Sequence, residues 1–236
     1  MSTRLGYTPV ACTNCGIYQL CHSVGGDTDL SVLDTLVKNR KTIKRRGFLF
    51  RTGEPFKAFY AIRGGSVKTS TIADDGRAQV TGFHGAGKVL GLDAIVTGQY
   101  NCEATALETA GVCEVPFSRF EELSKKIPDL QYKMMQIMSR EILDNRELIM
   151  LLGKMSAEER LAAYLLNISR CPEHGSPRVE FSMSMSRGDI GNYLGMAEET
   201  ICRILGRFQK EGLVTLQRRH VTLHDLERLR VMARRE

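Results

Sequence analysis

The chain has 236 residues, of which 42% are hydrophobic and 25% are charged, so it can bury one large core or two modest ones and is not intrinsically disordered. Its start lacks the basic segment and apolar run of a secretory signal, and no apolar stretch is long enough to cross a bilayer. We therefore expect a cytoplasmic protein with no membrane partner. The net charge of +6 permits a nucleic-acid partner without requiring one.

Three of the seven cysteines lie close together near the N-terminus, in the sequence ACTNCGIYQLCHSVGG. Cys12, Cys15 and Cys21 have the spacing C-x2-C-x5-C. Because cytoplasmic thiols are normally kept reduced, this group is expected to bind a metal or to carry out redox chemistry. Structural zinc sites usually come as two close pairs of ligands, and the spacing is not that of ferredoxins. Spacing alone therefore leaves an iron–sulfur cluster and a zinc ion open.

The next part of the chain changes from a helical to a strand pattern. Apolar residues share one face of a helix predicted over residues 29–39. From about Thr42 to Pro116, short runs are punctuated by glycine, Val67, Thr69 and Thr71 alternate with smaller or more polar neighbours, and ADDG has the chemistry of a hairpin turn. These patterns predict a small antiparallel β domain.

A third pattern, with intervals of three and four residues, lies between Leu130 and Leu152. This a/d repeat predicts a coiled-coil seam between two copies of the chain, although a helix that packs on its own domain would also carry an apolar stripe. Asn145 favours the seam, because one polar residue there fixes register and partner number at a cost in stability. The seam residues are Met135, Met138, Ile142, Asn145, Ile149 and Leu152.

The most informative stretch is RGDIGNYLGMAEETICRILGRFQKEGLVTLQRRHVTL, which begins at Arg187. Ser186 is placed to cap a first helix together with Asp189. Gly191 is small where the two helices approach closely, and Gly195 stands at the turn, where a positive φ is easiest for glycine. These features predict a helix-turn-helix unit, and the two short strands around the basic turn that follow make it a winged one.

The exposed face of the second helix carries residues suited to reading base edges in the major groove. Arg203 can donate two hydrogen bonds to guanine, and Glu199 can accept one from the cytosine amine. Alternatively, Glu198 and Glu199 complement the helix dipole, and Arg203 pairs with Glu199 at i, i+4. Four further cations are expected to hold phosphates: Arg207, Lys210, Arg218 and Arg219. A solvent-exposed face with no DNA contact would show the same pattern of positive charges.

Several blocks in a fixed order now identify a family. The sequence resembles the FNR (fumarate and nitrate reduction regulator) branch of the cyclic-AMP receptor protein superfamily in CTNCGIYQLC, FYAIRGGSVK, VTGFHGAGKVLGLDAI, ALETAGVCEVPF, AEERLAAYLLNIS and RGDIGNYLGMAEETICRILGRFQKEG. The resemblance implies an α+β fold, with an N-terminal cyclic-nucleotide-binding-like β-roll, a long dimerisation helix and a C-terminal winged helix-turn-helix. The expected parts are a cysteine-rich segment (1–28), the β-roll (29–125), the dimerisation helix (126–153) and the DNA-binding domain (154–236).

The resemblance also implies a cofactor and its ligands. In this family a [4Fe-4S] cluster that oxygen destroys is held by three N-terminal cysteines and one from the β domain, and the intact cluster favours a DNA-binding dimer. The three N-terminal ligands here would be Cys12, Cys15 and Cys21. The fourth would be Cys113, and only the match of ALETAGVC separates it from Cys102.

For DNA the resemblance implies that Glu199, Cys202 and Arg203 read an inverted repeat resembling TTGAT-N4-ATCAA. Cys202 stands where the family usually has Ser, so a weaker thiol donor that can still touch a thymine methyl replaces a hydroxyl. The implied protein is an oxygen-responsive transcription regulator, an activator of genes for anaerobic or microaerobic metabolism, that forms a homodimer and contacts RNA polymerase. The alternative left open is a zinc- or thiol-dependent winged-helix module that does not respond to oxygen.

Two other classes of protein are not expected. Cyclic-nucleotide receptors of the superfamily hold the phosphate with an Arg-Ser or Arg-Thr pair, where this chain reads QYNCEATALE without arginine, so no cyclic nucleotide effector is expected. The sequence also lacks a glycine-rich phosphate loop before a helix, a nucleophile motif and histidines at metal-binding spacing. An enzyme is therefore not expected.

Overall fold

The computed structural model describes residues 39–73, 75–169 and 179–233. The chain divides into two compact units, residues 1–142 and 143–236. Within the described ranges, no helix is both long and apolar enough to pass through a membrane.

The first unit is an antiparallel β-roll made of two four-stranded sheets. One sheet has the strand order β1-β8-β3-β6 and the other β2-β7-β4-β5, which confirms the predicted β domain. The strands are β1 (Asn39–Ile43), β2 (Phe48–Phe50), β3 (Ala58–Gly64), β4 (Val67–Ile72), β5 (Ala78–His84), β6 (Val89–Leu90), β7 (Glu103–Ala106) and β8 (Ala110–Pro116).

The start of the roll differs from the sequence prediction. Asn39 begins β1, so the helix predicted over residues 29–39 does not include its last residue, and the remainder of that prediction lies outside the described residues. Asn39 to Ile43 form a strand because they pair with Glu114 to Ala110 of β8. The hairpin predicted from ADDG is confirmed, since the amide of Ala73 donates to the carbonyl of Arg77 at 2.9 Å between β4 and β5.

The interior of the roll, between the two sheets, is filled by aromatic and small apolar side chains. Phe50 and Tyr100 stack with their ring centroids 4.0 Å apart. The Tyr100 hydroxyl donates to the Ala58 carbonyl at 2.6 Å. Gly91 is required beneath this ring, because its φ is +87° and a Cβ there would lie 3.0 Å from Tyr100 Cε1. Cys102 belongs to the same buried cluster.

Among the residues that the structure describes, three helices accompany the roll: α1 (Ala94–Thr97), α2 (Phe117–Lys126) and α3 (Pro128–Lys154). Phe120 of α2 and Leu130 and Met134 of α3 belong to a second buried cluster with Phe59, Val115 and Cys113. Side chains alternate between the faces of a strand. β8 therefore buries Val112 inside the roll and Cys113 on its outer face, against these helices.

The second unit is a winged helix-turn-helix, as predicted. After the end of α3 it contains α4 (Ala157–Ser169), β9 (Glu180–Ser182), α5 (Arg187–Leu194), α6 (Glu198–Lys210), β10 (Val214–Gln217), β11 (His220–Leu223) and α7 (Leu226–Ala233). The wing sheet has the order β10-β11-β9. β9 lies in a segment that the sequence presents as a loop, because three residues carry no readable alternation and form a strand only by pairing with β11.

Candidate DNA interface and supporting sites

The helix-turn-helix is shaped by local contacts that the sequence predicted. Ser186 Oγ accepts from the Asp189 amide at 3.0 Å, and the Asp189 carboxylate accepts from the Ser186 amide at 3.2 Å, which completes the cap of α5. Gly195 has a φ of +65°. A Cβ on Gly191 would lie 2.6 Å from the Met196 carbonyl oxygen. The turn therefore tolerates no side chain at Gly191, and the predicted roles of both glycines are confirmed.

The face of α6 that is turned away from the core carries the predicted base-reading residues. Ile201, Ile204 and Leu205 are buried, whereas Glu199 and Arg203 are exposed. Within the described ranges neither Glu199 nor Arg203 forms a hydrogen bond or an ion pair. The alternative intrahelical pair between them is thus not formed, and both charges are available to a ligand.

The four predicted phosphate contacts divide into two groups. Arg207 is engaged by carboxylates: it pairs with Glu158 of α4, and its Nε lies 3.3 Å from Glu211. The other three cations are exposed and form no ion pair with any residue that the structure describes; they are Lys210, Arg218 and Arg219. The wing turn thus carries two unpaired positive charges, while the charge at the end of α6 is partly neutralised.

Cys202, the third residue predicted to read bases, has a neighbour that the sequence analysis identified only as the start of a helix. Arg187 Nη1 donates to Cys202 Sγ at 3.4 Å. Arg187 is exposed and Cys202 is half-buried. The guanidinium of α5 therefore contacts the side of α6 that carries the predicted base-reading residues.

Arg160 of α4 connects the end of α3 to the helix-turn-helix. Its guanidinium donates to the carbonyls of Leu152 at 2.7 Å, Met155 at 2.9 Å and Leu194 at 3.0 Å. Sequence reasoning missed Arg160; the available signal was a single arginine one helical turn before the buried Tyr164, within an amphipathic helix. The last residue of α5 is thereby held against the last turn of α3.

The predicted seam runs along α3 and is largely exposed. Met135, Ile142 and Ile149 are 59%, 54% and 68% exposed, and Met138 is 38% exposed. Asn145 is exposed as well. Leu152, the last seam residue, is only partly exposed, and a Cβ on Gly195 would lie 3.9 Å from its Cδ2. The structure therefore leaves an apolar stripe open on this helix.

The two cysteines of the roll differ in position: Cys113 lies on its outer face and Cys102 in its interior. Cys113 is 7% exposed and packs against the helices on the outer face of the first sheet. Its Cα is opposite Arg40 of β1, the edge strand that directly follows the N-terminal segment. Cys102 lies in the interior, where burial raises the pKa of its thiol to about 12. Both side chains are buried to a similar extent, so the two cysteines differ in the face of the roll on which they lie.

The remaining predicted ligands, Cys12, Cys15 and Cys21, lie outside the described residues. Among the residues that are described, no three or more His, Cys, Asp or Glu side chains gather into a metal-binding group. Cys113 is therefore the one predicted ligand whose surroundings the structure describes.

Comparison with known proteins identifies the family. Residues 40–126 match the cyclic nucleotide-binding domain family, and residues 159–232 match the Crp-like helix-turn-helix domain family. The chain is 45% identical over 230 residues to the fumarate nitrate reduction regulatory protein of Klebsiella oxytoca and 44% identical to the fumarate and nitrate reduction regulatory protein of Escherichia coli K12, covering 97% of this chain and 92% of each relative. Among solved structures, FixK2 from Bradyrhizobium japonicum superposes with a TM-score of 0.76 at 26% identity, over 84% of this chain and 98% of that one. The chain therefore belongs to the FNR branch of the Crp/Fnr family of transcription regulators.

Proposed function

We propose that this protein is an oxygen-responsive transcription regulator of genes for anaerobic or microaerobic metabolism. Its dimerisation and its binding to an inverted repeat resembling TTGAT-N4-ATCAA depend on a [4Fe-4S] cluster held by Cys12, Cys15, Cys21 and Cys113. It acts in the cytoplasm as a DNA-binding homodimer and not as an enzyme.

The observation that carries this proposal is the position of Cys113. The residue lies one strand in from β1 and against Leu130 and Met134, in the first two turns of α3. A thiol at this point lies on the strand that pairs with β1 and in the same buried cluster as the first turns of α3. A change in what Cys113 binds thus acts directly on the packing of that helix.

The surroundings of Cys113 fit the group that the family implies. Phe120, Leu130 and Met134 form an apolar wall beside a nearly buried sulfur, and such a shell limits the access of solvent to an iron–sulfur site. When bound, a [4Fe-4S] cluster would supply a link among four thiolates that oxygen can break. The strands of the roll hold Cys113 in place. A change in packing at Cys113 would then reach the seam residues through α3.

Pairing of two copies through α3 explains why an inverted repeat is read. The exposed stripe of Met135, Ile142 and Ile149 becomes covered when a second copy packs against it. A dimer presents two recognition helices about one DNA turn apart, roughly 34 Å. Each α6 then places Glu199 and Arg203 against base edges, and Cys202 lies beside them. Phosphates are held by Lys210, Arg218 and Arg219, and by Arg207 once it leaves its carboxylates.

We also propose that cyclic nucleotides do not regulate this protein. The stacked rings of Phe50 and Tyr100 fill the interior of the roll, and the hydroxyl of Tyr100 is bound to a backbone carbonyl. No arginine stands in the segment from Gln99 to Glu103 to hold a phosphate. A contact with RNA polymerase, through turns of the roll and the winged domain, is proposed from family membership alone.

The proposal is tested on protein purified without oxygen. We expect about four iron and four acid-labile sulfide per chain, a dimer by size exclusion and binding to the operator; exposure to air should remove all three properties. Cys113→Ala should behave like air-treated protein, whereas Cys102→Ala should retain the cluster. Zinc without sulfide, or operator binding that is indifferent to air, would contradict the proposal and support the zinc- or thiol-dependent module.

A further inference from the structure

We propose that Arg187 is a specificity-determining residue of the DNA interface, which acts by positioning the thiol of Cys202. This inference rests on the proposed function and deepens it: the base preference opposite Cys202 is set by the pair of Arg187 and Cys202 together. Arg187 lies on α5 and Cys202 on α6, 15 positions apart, so the preference is a property of the folded unit.

The side chains of Arg187 and Cys202 are in direct contact. Arg187 Nη1 lies 3.4 Å from Cys202 Sγ, in the range of a hydrogen bond to sulfur. Cys202 is on the same exposed side of α6 as Glu199 and Arg203. The capping box formed by Ser186 and Asp189 holds the backbone of α5 immediately before Arg187 and two residues after it. The capping box therefore fixes the backbone from which the Arg187 guanidinium reaches the Cys202 thiol.

The contact with Arg187 limits what the Cys202 thiol can offer to DNA. Sulfur is a weak acceptor and the thiol a weak donor, so the interaction with a permanently charged guanidinium takes up much of its small hydrogen-bonding capacity. What Cys202 then offers to DNA is a soft, largely apolar surface of Cβ and sulfur, which suits a thymine methyl better than a polar base edge. A serine at this position would instead present a strong hydroxyl donor and acceptor.

The alternative role for Arg187 is that of a phosphate contact. A side chain that binds only phosphate carries no sequence information; its removal weakens all sequences alike and reduces the slope of log affinity against log salt by about 0.9. A side chain that positions Cys202 has a different effect. Its removal changes the ratio between operators that differ in one methyl group.

The test uses the full-length protein purified without oxygen and fluorescein-labelled operator duplexes. Each thymine of the half-site is replaced in turn by uracil, which lacks only the 5-methyl group. At one thymine we expect wild-type protein to bind the uracil duplex about fourfold more weakly, the effect of one buried methyl group. Cys202→Ala should reduce that ratio to below about twofold, as should Arg187→Ala. The double variant should match Cys202→Ala, since the two residues act as one unit.

Two further variants serve as controls. Arg219→Ala, in the wing turn, should weaken binding to thymine and uracil duplexes equally and leave their ratio unchanged. Arg187→Gln, together with a thermal melt of the variant protein, distinguishes loss of the position of the Cys202 thiol from loss of folding. A fourfold ratio that persists in Arg187→Ala and Arg187→Gln, or no uracil-sensitive thymine in wild-type protein that binds the operator, overturns this inference alone. Wild-type protein that binds the operator no better than a scrambled duplex overturns the proposed function, and this inference with it.

Discussion

Two of the described helices, α3 and α6, differ in the chemistry of the side chains that they expose. α3 presents an apolar stripe that includes Met135, Ile142 and Ile149, whereas α6 presents the unpaired charges of Glu199 and Arg203. An exposed apolar stripe is unfavourable in water and is stabilised by another apolar surface. Burying an exposed charge in an apolar seam costs hydration free energy that no partner there replaces. Such charges instead suit a polar, charged ligand. The difference supports the two partners that we propose, a second copy for α3 and DNA for α6.

The largest effect is expected from a charge placed in the stripe of α3. Ile142→Glu should raise the dimer dissociation constant by at least about 100-fold, because two like charges would meet across the seam. Leu143→Glu is a matched control, since Leu143 is 55% exposed against 54% for Ile142 but lies off the seam. Analytical ultracentrifugation measures both. Equal effects of the two variants would show that α3 does not pair through this stripe.

The next effect concerns the connection between the end of α3 and the helix-turn-helix. Arg160→Met removes three hydrogen bonds from a charged donor and should lower the free energy of unfolding by about 2–4 kcal/mol. Arg230→Met, which removes only a surface pair with Glu227, should cost less than about 1 kcal/mol. Chemical denaturation measures the difference. Similar losses for the two variants would mean that Arg160 does not hold this junction.

The charged face of α6 is probed by Arg203→Ala. Because a bidentate contact to guanine is lost, we expect binding to weaken by about 1–3 kcal/mol and discrimination at that base pair to relax. Lys210→Ala is the comparison: it should weaken all sequences alike and reduce the salt slope by about one. Anisotropy titrations on a set of operator variants separate these outcomes. A uniform loss for Arg203→Ala would make it a phosphate contact.

A gain is expected when the polar position of the seam is made apolar. Asn145→Leu should tighten the dimer by about tenfold, because it removes the cost of a polar side chain in the seam. The variant should also remain a dimer for longer after exposure to air. Glu147→Leu, on the outer side of the same helix, is the control. An unchanged dissociation constant for Asn145→Leu would place that residue outside the seam.

The smallest effect is expected at the carboxylate that neutralises α6. Glu158→Gln releases Arg207 from its partner on α4, so DNA affinity at low salt should rise about two- to threefold and the salt slope should steepen by up to about 0.9. Glu227→Gln, which frees Arg230 on α7, should have no such effect. Weaker DNA binding by Glu158→Gln would instead show that the pair is needed to orient α6.

Features that depend on neighbouring residues could be predicted from the sequence. The cap of α5, the glycines of the turn, the hairpin at ADDG and the apolar stripe of α3 each follow from the local conformational preferences or periodicity of a few residues. The short strand β9 could not be predicted, because its three residues form a strand only through pairing with β11. The helix predicted up to residue 39 was wrong at its last residue for the same reason, since pairing with β8 places Asn39 in a strand.

The sequence by itself determined the order of the β domain, the long helix and the helix-turn-helix, and it supplied the predictions of base-reading residues and cysteine ligands. Only the tertiary structure decided which partners those residues have. It places Cys113 on the outer face of the roll and Cys102 in its interior, engages Arg207 with Glu158, and brings Arg187 to Cys202. The physical reason is that such contacts join positions far apart in the chain. They depend on strand pairing and helix packing, which no local pattern encodes.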